Sequence, residues 1–185
     1  PELLVDLSLP QNGSIYASET AAQKLDAALK GDPDVARWST YVGRGAIRFY
    51  LPLNVQLPNN FFTQAVIVAK DVAARERLRL KLEKILSEEF PSAISRVSPL
   101  ELGPPVGWPV QYRVSGPDVG KVREIALKLA QIVATNPKAE KINFDWIEPA
   151  RQVRIRVDQD EARLLGLSSQ AIARVLNTVV SGTSV

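Results

Sequence analysis

The stretch AVIVAKDVAARERLRLKLEKILSEEF, residues 65–90, sets the architecture of the chain. Its first five residues are all apolar, which is typical of a strand buried on both faces in the middle of a sheet. A helix follows, because apolar residues recur at helical spacing: Leu78, Leu82, Ile85, Leu86 and Phe90. Pro91 ends this helix, and residues 94–102 are predicted to return as a strand.

The cationic residues of this helix mostly lie off its apolar stripe. Two interpretations stay open for them, a solvated face and a binding patch, and the pattern favours the solvated face. The residues are Arg75, Arg77, Lys81 and Lys84.

A similar unit precedes residue 65. Apolar residues alternate over 3–9 and predict a strand that ends at Pro10. A helix with Ala21, Leu25, Ala28 and Leu29 on one side ends at Gly31, and residues 35–42 read as a second strand. The two units together predict βαββαβ, the ferredoxin-like split βαβ arrangement of an α+β protein, with both helices on one face of the sheet.

A third unit is incomplete. Residues 110–114 and 142–146 are predicted strands, and residues 118–135 between them are a predicted helix capped by Asp118. Two strands and one helix rarely form a stable structure alone. We therefore expect partner strands from another segment or another molecule, and we expect the open edge of this unit to pair with a second copy.

The pattern changes after residue 149. Residues 153–157 alternate as a short strand, Asp158 opens a short helix, and Ser168 caps a further helix. This segment is predicted to begin another domain. The chain would then contain, in order, the first sandwich, half of a second one and the start of this further domain.

Composition argues against several classes of function. The chain has 185 residues and contains no histidine, cysteine or methionine, so thiol nucleophiles, Ser-His dyads, zinc sites and thioether metal sites cannot be built from it. Asp158 and Asp160 are better explained as helix-capping carboxylates than as a catalytic pair. We expect no enzyme activity, no cofactor and no bound metal.

Two further partners are disfavoured. The net charge of +3 is weak evidence for nucleic acid, and RNA-binding sheets need aromatic residues on their central strands, which residues 3–9 and 65–69 do not contain. No stretch approaches the roughly 20 apolar residues of a membrane helix. The class of function that remains is the binding of apolar ligands.

Two segments could bind apolar material. Residues 46–60, AIRFYLPLNVQLPNN, place six apolar side chains on one side, but Pro52 and Pro58 prevent a regular central strand. This segment is either pinned onto the core or lines a cleft. Residues 100–109, LELGPPVGWP, form a stiff hinge that carries Trp108 where a cleft would open, and a rigid spacer is the alternative.

The chain resembles the RND (resistance-nodulation-division) efflux transporters. The ELG at 101–103, the Gly-Trp at 107–108 and the strand ending VSG at 114–116 look like the junction between two porter subdomains. The run VRIRVDQDEARLLGLS at 153–168 resembles the strand and helix at the entry to the docking domain, and the SGT at 181–183 fits the end of that helix. The order is that of the second periplasmic loop.

The resemblance implies a domain organisation and a site. Residues 1–102 would be the first porter subdomain, 103–149 the leading half of the second, completed by downstream chain, and 150–185 the start of the docking domain. Residues 43–60 match by position a switch loop between drug pockets, and 101–108 would lie in the cleft wall. The implied ligand-binding residues are Arg48, Phe49, Tyr50, Leu51, Leu53, Glu101, Leu102, Gly103 and Trp108.

The resemblance also implies a function. The chain would be the periplasmic substrate-binding portion of a proton-driven pump for amphiphilic compounds, in the bacterial inner membrane. That pump would be a homotrimer with a periplasmic adaptor protein and an outer-membrane channel, and its proton-coupling groups would lie outside this chain. A start at Pro1 favours an excised internal piece. The alternatives are a freestanding ferredoxin-like ligand-binding or regulatory protein and, less favoured because Met, Cys and His are absent, a metal-exporting RND pump.

Overall fold

A computed structural model describes residues 1–100, 102–104, 107–146 and 149–182. The chain divides into two compact units, Pro1–Ala150 and Arg151–Val185. Within the described ranges, no helix is both long enough and apolar enough to cross a membrane.

The first unit contains a four-stranded antiparallel sheet. Its strands are β1 (Glu2–Ser8), β2 (Val35–Val42), β3 (Phe62–Ala69) and β4 (Ile94–Pro99), in the spatial order β2-β3-β1-β4. Helices α1 (Ile15–Leu29) and α2 (Val72–Glu89) connect β1 to β2 and β3 to β4. The predicted βαββαβ fold is confirmed, and β3 is a central strand as its apolar run predicts.

The core lies between one face of this sheet and the two helices. Alternation in β1 sends Leu3, Val5 and Leu7 to that face, where all three are fully buried. Ala65 and Ile67 of β3 join them. The helices contribute the residues that helical spacing predicted, including Leu25, Leu29, Leu78, Leu82 and Leu86.

Side-chain caps begin both helices. The Ser14 hydroxyl accepts a hydrogen bond from the Ala17 N–H at 3.2 Å, and the Asp71 carboxylate accepts one from the Ala74 N–H at 2.7 Å. Each cap satisfies a backbone donor that the first helical turn leaves unpaired and contributes about 1 kcal/mol. The caps therefore fix where the chain leaves the sheet for each helix.

The third predicted unit forms only its helix. Helix α3 (Val119–Ala134) is capped by Asp118 as predicted, but none of its residues is buried. Residues 110–114 and 142–146, predicted as strands, are not strands in the structure. A strand needs a neighbouring strand for its backbone hydrogen bonds. Within the described residues, these two segments have no such neighbour. The expectation that this unit depends on partner strands fits both observations.

The second compact unit is helical in its described part. Helix α4 (Gln159–Leu164) begins at Asp158, whose carboxylate accepts from the backbone N–H groups of Asp160 and Glu161. Helix α5 (Ser169–Ser181) begins at Ser168, whose hydroxyl accepts from the Ala171 N–H. Both caps agree with the sequence, whereas the strand predicted over 153–157 is not formed. Thr183, part of the SGT match, lies outside the described residues.

Candidate functional site

The sheet face opposite the helices carries a cleft of about 630 Å³. Alternation along β3 turns Val66 and Val68 toward this face, because Ala65 and Ile67 face the core. Apolar and aromatic side chains form most of its walls, and Glu2, Arg37 and Arg75 are its charged members. The arrangement suits a ligand with a large apolar surface and a small polar part.

The aromatic wall of the cleft comes from β2 and from residues 43–60, which we call the cleft segment. Tyr41 of β2 lines the cleft, as do Phe49 and Tyr50 of the segment. The Phe49 and Tyr50 rings lie 5.4 Å apart between centroids, with 34° between their planes. The Trp38 ring lies on the other side of the sheet, where it packs against the core and its indole Nε1 donates to an Asp26 carboxylate oxygen of α1 at 2.7 Å.

The cleft segment is both pinned to the core and part of the cleft, so the two alternatives left open by the sequence apply to different residues. Leu53 is only 3% exposed and anchors the segment. Phe49 and Tyr50 line the cleft, whereas Leu51 is 83% exposed and lies outside it. Arg48 is also exposed and is not a lining residue.

The hinge residues predicted for the site are only partly brought to it. Leu102 lies at the rim of the cleft near Leu100 with its side chain fully exposed, and Gly103 is not a lining residue. Trp108 packs against β4 instead, with the Arg96 guanidinium carbon 5.8 Å from its ring centroid. Glu101 lies outside the described residues. Participation of all nine predicted residues in ligand binding stays a prediction.

Two backbone attachments hold the ends of the cleft segment. The Gly43 N–H donates to the Phe62 carbonyl at 2.8 Å, and the Asn59 N–H donates to the Gly43 carbonyl at 2.8 Å. Gly43 has φ +71°, and a Cβ there would lie 2.3 Å from Cδ1 of Ile15. The backbone conformation therefore favours glycine, and any larger residue would also have to displace the terminal methyl of Ile15.

A polar cluster that sequence analysis missed lies on the same sheet face. Asp6 of β1 faces Gln64 of β3 and Arg96 of β4 across the sheet. The Gln64 amide donates to an Asp6 carboxylate oxygen at 2.7 Å. Burial raises the pKa of the Asp6 carboxyl, and the Gln64 hydrogen bond and the Arg96 charge act in the opposite direction without cancelling it. The signal in the sequence was a carboxylate within an otherwise apolar central strand, LLVDLSL.

The described residues offer no metal centre, since they contain no group of three or more His, Cys, Asp or Glu side chains able to hold an ion. The charged and aromatic groups of the cleft are suited to binding.

The family model described as AcrB/AcrD/AcrF matches residues 2–185. The chain belongs to this family. The resemblance to RND efflux transporters drawn from the sequence is thereby confirmed. A comparison with curated proteins finds no match.

Solved structures of a heavy metal efflux pump resemble this AcrB/AcrD/AcrF-family chain. Crystal form I is 20% identical with a TM-score of 0.63 and covers 96% of this chain. Crystal form II is 17% identical with a TM-score of 0.63 and covers 95%. At these identities the similarity shows the fold, and the chain spans 19% of the length of each pump chain.

Proposed function

We propose that this AcrB/AcrD/AcrF-family chain is the substrate-binding, porter portion of a proton-driven efflux pump that exports amphiphilic or hydrophobic compounds. The observation that carries the proposal is the cleft walled by Tyr41, Phe49 and Tyr50. Burial of apolar ligand surface against such walls contributes about 25 cal/mol per Å² and demands no fixed geometry. One cleft can therefore accept compounds of differing shape.

The proposal places the chain within a larger assembly. The parent pump is a homotrimer in the bacterial inner membrane, with this part on the periplasmic side and with an adaptor protein and an outer-membrane channel as partners. Residues 1–102 and 103–149 belong to two porter subdomains, and 150–185 begin the docking domain. The chain binds cargo without a catalytic step or a cofactor, and proton coupling takes place elsewhere in the pump.

An organic cargo is favoured over a metal ion. The structural relatives named above export heavy metals, but export of soft metals usually depends on thioether, thiolate or imidazole ligands. This chain contains no Met, Cys or His, and its cleft is lined mainly by carbon. The charged lining residues Glu2, Arg37 and Arg75 suit the polar part of an amphiphile.

Binding of the fluorescent apolar probe 1-N-phenylnaphthylamine tests the cleft directly. We expect Phe49→Ala or Tyr50→Ala to raise the dissociation constant of the probe about fivefold, because an aromatic contact contributes on the order of 1 kcal/mol beyond the area that it buries. Leu57→Ala is the matched control, since Leu57 belongs to the same segment but is 79% exposed and lies outside the cleft.

Equal affinities for the Phe49→Ala and Leu57→Ala variants would contradict the assignment of the cleft. The same two aromatic substitutions, introduced into the parent pump, are expected to change the spectrum of exported compounds, and unchanged resistance profiles would contradict a role of the segment in transport. Competition with Ag(I) separates the cargo classes. Displacement of the probe by stoichiometric Ag(I) would favour metal export.

A further inference from the structure

The side chain of Gln64 joins the cleft segment to the centre of the sheet. Its Oε1 accepts a hydrogen bond of 2.8 Å from the Ala46 N–H, and its Nε2 donates one of 2.7 Å to a carboxylate oxygen of Asp6. Gln64 is only 2% exposed and Ala46 only 1% exposed, so water cannot readily replace either bond. One side chain therefore connects β1, β3 and the segment.

The orientation of the Gln64 amide is fixed by its two partners. A backbone N–H can only donate, and an ionised carboxylate can only accept. Turning the amide over would place its NH2 against the Ala46 N–H and its oxygen against the carboxylate, which would lose both bonds. The bridge consequently has a single arrangement.

The Gln64 bond holds a part of the segment that the backbone attachments do not reach. Those attachments lie at Gly43 and Asn59, whereas Ala46 is three residues before Phe49. The approach is also close: a Cβ on Gly45 would lie 2.8 Å from the Gln56 Cβ and 3.2 Å from the Gln64 Oε1. The two arms of the segment and the Gln64 amide thus pack together where only glycine fits.

We propose that Gln64 is a positioning residue for the cleft. Its amide links the cleft segment to Asp6 through two hydrogen bonds, which we call the latch, and the latch keeps Phe49 and Tyr50 in the cleft wall. This inference rests on the proposed function, since it assigns Gln64 a role in the affinity of that site. Gln64 acts through Ala46, and it is not itself among the residues that line the cleft. Release of the latch leaves the ends of the segment and the buried Leu53 in place, while the part from Ala46 to Tyr50 moves away from the sheet.

Amide hydrogen exchange of the 185-residue chain tests the latch. Gln64→Leu keeps the approximate size of the side chain but can form neither bond. We expect exchange at Ala46 to accelerate at least about tenfold, the effect of losing one buried hydrogen bond. The Gly43 and Asn59 amides serve as internal references and should keep their protection. Unchanged exchange at Ala46 would overturn the proposal.

Thr63→Val is the matched control for general loss of stability. Thr63 is the neighbour of Gln64 in β3, is equally buried, and donates from its hydroxyl to the Ser18 carbonyl at 3.2 Å on the opposite side of the sheet. We expect Thr63→Val to leave the affinity for 1-N-phenylnaphthylamine unchanged and Gln64→Leu to weaken it about threefold or more. A similar loss of probe affinity in both variants would mean that Gln64 only supports the fold, and it would overturn the proposal.

A paired substitution keeps the test decisive if Gln64→Leu does not fold. Gln64→Glu alone places a second carboxylate against Asp6 and should release the segment. Adding Asp6→Asn supplies an amide that can donate to the introduced carboxylate, which still accepts from the Ala46 N–H. We expect the pair to restore protection at Ala46 and probe affinity, and failure of the pair to improve on Gln64→Glu would overturn the proposal.

The two hypotheses fail in different ways. If the unmodified chain binds no probe while Gln64→Leu still exposes Ala46, the proposed function falls and the latch persists only as a structural contact. If the probe binds and the aromatic substitutions weaken it, but the exchange and affinity of the Gln64 variants are unaltered, the latch alone is wrong.

Discussion

Individual polar residues on the central strands distinguish the two faces of the sheet. Asp6 lies between Val5 and Leu7, which are fully buried against the helices, and points to the opposite face. There it meets Gln64 of β3 and Arg96 of β4. A carboxylate in this position costs desolvation free energy, which its two partners only partly offset. A buried carboxylate that lowers stability is expected at a functional site rather than in a core that only stabilises the fold.

The Asp6→Asn substitution should stabilise the chain at neutral pH. The folded-state pKa of Asp6 is raised, so its favourable contribution is complete below the unfolded value near 3.8 and is lost as the pH rises through the folded value. Asparagine removes the buried charge and can still accept from Gln64. We expect the free energy of unfolding at pH 7 to rise by about 1 kcal/mol.

Urea unfolding of both proteins at pH 7 and pH 4 measures this effect. The advantage of the Asp6→Asn variant should be larger at pH 7 and should diminish toward pH 4, where the wild-type carboxyl is increasingly protonated. A variant less stable than the wild type at pH 7 would mean that the attraction to Arg96 outweighs the cost of burial.

At the level of elements, ion pairs connect α2 to the turn between α1 and β2. Lys81 bonds to Asp32 and Arg77 bonds to Asp34, both at 2.5 Å. Arg75 pairs with Glu76, and Lys84 lies 3.9 Å from Glu88. Carboxylates from the same helix and the adjacent turn thus pair with these cations. For Arg77, Lys81 and Lys84 this agrees with a solvated face more than with a binding patch, whereas Arg75 also lines the cleft.

Lys81→Ala should weaken the chain above about pH 4 and have little effect in stronger acid. Burial by itself would raise the pKa of Asp32, but the Lys81 ammonium and the Asp34 N–H together hold that pKa below its usual range. A lowered carboxyl pKa contributes stability that is present above the unfolded value and lost as the pH falls through the folded value. Lys81 is half exposed, so we expect a loss of about 0.5–1 kcal/mol at pH 7.

Thermal or urea unfolding from pH 2 to pH 7 checks the prediction for Lys81. Lys84→Ala is the control, because its partner Glu88 belongs to the same exposed helix face and the pair is long. A constant difference between Lys81→Ala and wild type over the whole pH range would contradict the assigned coupling to Asp32.

For the molecule as a whole, the first sandwich is self-contained and the following unit is not. The sheet of β1 to β4 buries its helices on one face, whereas α3 exposes apolar side chains along its length; they are Val119, Ile125, Leu127 and Ile132. Within the described residues, nothing pairs with 110–114 or 142–146 as a strand. Apolar surface and unpaired backbone of this kind favour association.

We predict that the chain self-associates through this unit at high concentration. Sedimentation should show a concentration-dependent species larger than a monomer, and Ile125→Glu should reduce it. Leu80→Glu is the matched control, because Leu80 is a comparably exposed apolar residue on α2, outside the incomplete unit. A strictly monomeric chain, or equal effects of the two glutamates, would contradict the prediction.

The amino-acid sequence alone determined the features that depend on near neighbours in the chain. Period-two spacing marked β1, an unbroken apolar run marked β3, and helical spacing marked the buried stripes of α1 and α2. Capping residues marked where three of the helices begin, because these signals span only a few residues. The motifs at 101–116 and 153–168 indicated the family. Three of the nine predicted site residues, Phe49, Tyr50 and Leu102, lie at the cleft.

Which distant residues meet depends on how the whole chain folds. The register of three strands brings Asp6, Gln64 and Arg96 together, although 58 positions separate Asp6 from Gln64. The fold also buries Leu53 while leaving Leu51 in solvent. Within the described residues, it gives segments 110–114 and 142–146 no partner strand. Strand pairing depends on long-range contacts whose partners no local pattern identifies, so these properties emerge only when the sheet has formed.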